Sequence, residues 1–70
     1  MTYTWVLIED SMIVCAFTSE PTDEEILDTA NDMTGENGYF YDKIGDTYFW
    51  RGEDTATEFT LTKTELKWNE

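Results

Sequence analysis

Seventy residues of 8.2 kDa suit one small domain, 1–70. Sixteen Asp and Glu against four Lys and Arg, with no His, set the net charge at −12, which excludes a nucleic-acid binder with the usual basic footprint. The missing His and the single cysteine, Cys15, exclude zinc fingers, His-based nucleophilic catalysis and a disulfide within the chain.

Residues 3–8 (Tyr-Thr-Trp-Val-Leu-Ile) and 12–17 (Met-Ile-Val-Cys-Ala-Phe) are short apolar runs rich in strand formers, separated by the polar Glu9-Asp10-Ser11. This pattern predicts a β-hairpin. Neither run alternates cleanly, so both faces of the hairpin are expected to be partly covered. Thr22 and Glu25 then fit a capping box, with Pro21 just ahead of it and Gly35 as a left-handed stop, predicting a helix from about Asp23 to Met33 or Thr34. At about 100° per residue from Thr22, Ile26, Leu27, Ala30 and Met33 fall within roughly 20–140°, while Glu24, Glu25, Asp28 and Asp32 fall within roughly 200–300°. The apolar stripe belongs to a sheet; the opposite stripe is purely anionic.

Tyr39-Phe40-Tyr41-Asp42-Lys43-Ile44 and Thr47-Tyr48-Phe49-Trp50-Arg51 read as two further strands joined by a tight Gly45-Asp46 turn. After Gly52-Glu53-Asp54, the alternation from Thr55 to Leu61 predicts a fifth strand. Residues 62–70 either prolong that strand or form a helical turn capped by Thr62 and Glu65. The order β-β-α-β-β-β is that of an α+β domain, an antiparallel sheet of about five strands with one helix packed on one face. Eleven aromatic residues supply the apolar area that so short a chain needs to fold against its own charge.

Charge is distributed unevenly. Residues 1–42 hold ten carboxylates and no Lys or Arg; residues 43–70 hold the other six and all four basic residues. Glu24, Asp28 and Asp32 are successive i, i+4 neighbours, a spacing at which like charges weaken a helix by roughly 0.2–0.5 kcal/mol per pair. Stability alone would place Lys at one of them. The ridge is expected to imitate a polyanion and to occupy a basic groove shaped for DNA or RNA. Glu24, Asp28 and Asp32 form the expected core of the contact, with Glu20, Asp23, Glu25 and Glu36 as its rim. Solvation is the competing explanation, since acidic groups raise solubility and Asp23, Glu24 and Glu25 suit the first helical turn.

Other chemistries fit less well. A paired-carboxylate hydrolase needs a cleft that 70 residues have little room to build. Asp28, Asp32, Glu36 and Asn37 surround a glycine but miss the calcium-loop spacing. Cys15 shares a strand face with Ile13 and Phe17 and reads as core packing. The aromatic segments 39–41 and 48–50 cannot point all one way, so one set is core and the other faces solvent, a partner or a second copy.

In size, charge and single-domain build the chain is similar to the loose class of acidic inhibitor proteins encoded by bacteriophages and mobile elements. Members of that class occupy nucleic-acid sites on host enzymes. The resemblance implies a non-catalytic inhibitor in the host cytoplasm, without cofactor or metal, whose partner is a basic nucleic-acid-binding protein rather than nucleic acid or membrane. The alternative is an interaction module or homodimer that uses its aromatic sheet face, with acidity serving solubility alone.

Overall fold

The computed structural model describes residues 2–66. Strand β1 spans Thr2–Glu9, β2 Met12–Phe17, helix α1 Asp23–Thr34, β3 Tyr39–Ile44, β4 Thr47–Arg51 and β5 Ala56–Leu66. This is the α+β order that the sequence predicts: a five-stranded antiparallel sheet with one helix. The spatial order is β2-β1-β5-β4-β3, which puts β5 at the centre. Strands β2 and β3 therefore form opposite edges, and the connection between them through α1 has to cross the sheet. Among the described residues, no helix is long and apolar enough to cross a membrane.

Turn chemistry closes both hairpins. Asp10 and Ser11 adopt φ of 52° and 66°, the two positive values that an I′ turn requires. Gly45 alone is positive in the β3–β4 turn, at 60°, where a II′ turn places glycine. The helix begins as the capping box requires: the Glu25 amide donates to Thr22 Oγ1 at 3.1 Å, and the Thr22 amide donates to Glu25 Oε1 at 2.9 Å. It ends at Gly35, with φ of 75°, whose amide donates to the Asn31 carbonyl.

Leu7, Ile26, Ala30, Tyr48, Trp50 and Phe59 form the core between helix and sheet, with Val14, Cys15, Phe17, Leu27, Phe40 and Leu61 packed around it. The predicted division of the aromatic segments is present. Phe40, Tyr48 and Trp50 face the helix, while Tyr41 and Phe49 stack on the other side with ring centroids 6.1 Å apart.

One expectation needs correcting, and one open alternative is decided up to Leu66. Cys15 does not share a face with Ile13: Leu7 pairs with Cys15 but Ile8 pairs with Ile13, so Val14 is an extra residue at a bulge. The bulge turns Val14 and Cys15 toward the core and leaves Ile13 exposed on the far face, which is why the run 12–17 does not alternate. The fifth strand also continues past Leu61 to Leu66 in register with β1, from Ile8 opposite Thr60 to Thr2 opposite Leu66. Pairing along the whole of β1 satisfies backbone groups that a capped turn at Thr62 would leave to solvent. The last part of the predicted tail, 67–70, lies outside the described residues.

Candidate partner-binding site

Helix α1 presents Ile26 and Ala30 to the sheet and keeps Glu24, Asp28 and Asp32 exposed on its outer side. One turn and a fraction separates successive members, a rise of about 6 Å along the axis. Among the described residues, none of these three side chains has a hydrogen-bond or ion-pair partner. The single ion pair among the described residues joins Lys43 Nζ to Asp23 Oδ1 at 3.6 Å, at the start of the helix.

The rim behaves differently from the core. Asp23 Oδ1 also accepts from the Tyr48 hydroxyl at 2.9 Å, tying the helix start to β4. The Tyr48 hydroxyl and then the Asp23 charge raise the Lys43 ammonium above its ordinary pKa, while burial pushes the Tyr48 hydroxyl up. At about 100° on the helical projection, Asp23 falls inside the apolar stripe, and this signal in the sequence separates it from the outer carboxylates. Glu25 is held by the capping box. Glu20 opens onto a cleft also lined by Trp5, Asp23, Lys43, Asp46, Tyr48 and Lys63, three carboxylates against two ammonium groups. The Lys63 ammonium lies 4.3 Å from the Tyr3 ring centroid and 5.4 Å from that of Trp5.

Glu36 is a latch between loops. Its Oε1 accepts from the Asp54 amide at 3.1 Å and its Oε2 from the Thr55 hydroxyl at 2.9 Å. These bonds, the Asp54 amide foremost, hold the carboxyl below its ordinary pKa. The structure thus brings Glu24, Asp28 and Asp32 together as an open stripe and employs Asp23, Glu25 and Glu36 in its own architecture. A shallow hollow beside the helix end is lined by Asp28, Asn31, Asp32, Gly35, Glu36 and Asn37. Among the described residues, no three His, Cys, Asp or Glu side chains converge there or elsewhere as a metal site.

Asn31 is the residue that sequence reasoning missed. Its Oδ1 accepts from the Trp50 indole N–H at 2.8 Å and from the Gly38 amide at 2.9 Å, fastening α1 to β4 and to the loop before β3. Gly38 lies so close to the Trp50 ring that a Cβ at that position would overlap the indole. The stripe therefore stands on a helix fixed at its start by Asp23 and near its end by Asn31. Comparison with family models, characterised proteins and solved structures finds no match for this chain.

Proposed function

We propose that the chain is a small acidic inhibitor that binds a basic, nucleic-acid-handling protein by imitating a polyanion, with Glu24, Asp28 and Asp32 as the contact. The reading rests on one observation: three exposed carboxylates in a row on a rigid helix, without a cation partner among the described residues. Solubility does not require that arrangement. A net charge of −12 is reached without placing repelling neighbours at i, i+4, and Lys at Asp28 would strengthen the helix. Charges about 6 Å apart along a rod are of the same order as the roughly 3.4 Å repeat of phosphates on one nucleic-acid strand. A basic groove therefore meets a field it is built to accept, and electrostatic steering raises the encounter rate. The chain needs no catalytic group for this role and acts by occupancy.

The carboxylates of Asp23, Glu25 and Glu36 support the stripe rather than extend it, because their oxygens already accept protein hydrogen bonds. The test is affinity capture from a cell lysate at low and high salt, with added duplex DNA as competitor. A captured basic protein released both by salt and by DNA, and not captured by the Glu24→Lys, Asp28→Lys double variant, is the expected result. Capture that survives salt, DNA and the double variant alike would remove the proposal.

A further inference from the structure

The sheet has a second face, on the side away from α1. By register it carries Val6, Ile8 and Ile13 on one half and Tyr39, Ile44 and Phe49 on the other, with Tyr41 stacked on Phe49. Ile13 is 67 % exposed, Ile44 64 %, and Tyr39 and Tyr41 56 % each. Large apolar side chains exposed on both halves of one sheet face mark an interaction surface. We propose that a second copy of this chain covers it, in a symmetric dimer with the two helices on the outside.

Four features single out a copy of the same chain. The face is divided by the central strand. Val6, Ile8 and Ile13 form an aliphatic half on β1–β2, and Tyr39, Tyr41 and Phe49 an aromatic half on β3–β4. A two-fold axis running along β5 in the interface lays the aliphatic half of one copy on the aromatic half of the other, so the surface is complementary to itself. The midline is built for burial, because Thr47 and Thr60 pair their hydroxyls at 3.3 Å instead of presenting them unsatisfied.

Charge supplies the other two features. Among the carboxylates of the described residues, the register puts only Asp42 and Glu58 on this face, with Arg51 beside them, so two copies repel each other least here. Arg51 is exposed and has no ion pair among the described residues, in a chain where acids outnumber bases four to one. The same two-fold axis carries Arg51 toward the Asp10 end of the other copy's β1–β2 hairpin, where it meets a further acid. The dimer would also direct two carboxylate stripes outward in opposite directions.

The test is sedimentation velocity at roughly 100 µM, above the micromolar end of affinities for standard interfaces. The expected species has twice the 8.2 kDa chain mass and strengthens as salt rises, because salt screens repulsion between two −12 chains. Ile13→Lys with Ile44→Lys, two exposed positions on opposite edges, should give a monomer with an unchanged circular dichroism spectrum. Arg51→Glu should raise the dissociation constant at least tenfold. A wild-type monomer at this concentration overturns the proposal and assigns the face to a different occupant, and so does a double variant that stays dimeric. Partner capture through the helix weakens with salt, so the two proposals fail in distinguishable ways.

Discussion

The outer stripe of α1 and the carboxylates flanking it carry the same kind of side chain and use it in opposite ways. Of the flanking groups, Asp23 receives the Tyr48 hydroxyl and Lys43, Glu25 closes the capping box, and just beyond Gly35 the Glu36 carboxylate ties down the Asp54–Thr55 turn. Along the stripe, Glu24, Asp28 and Asp32 hold nothing among the described residues. A carboxylate that accepts two protein donors contributes to the fold and has little left to offer a partner. A carboxylate that accepts none costs the helix a small repulsion and keeps its whole charge available. Residue type alone therefore does not separate the two groups; what each carboxylate accepts does.

The sharpest way to break this contrast is to reverse two charges of the stripe. Glu24→Lys with Asp28→Lys should weaken partner binding at least a hundredfold, roughly 3 kcal/mol by titration calorimetry, with the circular dichroism spectrum intact. Removing a fastening should do the reverse. Asn31→Ala leaves the buried Trp50 indole N–H without its acceptor and should cost about 2 kcal/mol in urea denaturation, lowering the melting temperature by roughly 10 °C. Binding by the fraction still folded should not change.

Acid should separate the regions more gently. Because hydrogen bonds hold the Glu36 carboxyl below its ordinary value of 4.5, its contribution is complete above that pH and is lost as pH falls through the lowered value. Glu36→Gln should therefore flatten the stability curve below pH 4.5 relative to the wild type, measured by urea midpoints at successive pH values. The smallest expected effect is also the most discriminating. Asp28→Lys converts two repelling i, i+4 pairs into attracting ones and should stabilise the chain by about 1 kcal/mol while weakening partner binding. A variant that gains stability and keeps its affinity would show that the stripe is only solvated surface.

Much of the fold was legible because its signals are local. Thr22, Glu25 and Gly35 mark the helix within a residue, since each acts on backbone groups three or four positions away. Asp10-Ser11 and Gly45-Asp46 likewise mark their own turns. The bulges at Val14 and Tyr41 were hidden, because an extra residue is defined by the partner strand and not by its own identity. Asn31 was hidden for a related reason: its acceptor role exists only once Trp50, nineteen positions later, is folded against the helix. Of the candidate site, the outer stripe was legible from the helical period. The latching role of Glu36 was not, since it depends on where the β4–β5 turn comes to lie.

The placement of β5 has a consequence for how the molecule is made. The strand nearest the C-terminus lies between β1 and β4 and completes the middle of the sheet, so no shorter N-terminal piece contains the core. Phe59 and Leu61 are made after the rest of the core, and closing β1 onto β5 pairs residues as far apart as Thr2 and Leu66, a long-range closure of the kind that slows folding. Until then the exposed hairpin of β1 and β2 travels with ten negative charges and no positive ones in the first 42 residues. The same repulsion that burdens the finished fold keeps its unfinished precursors apart.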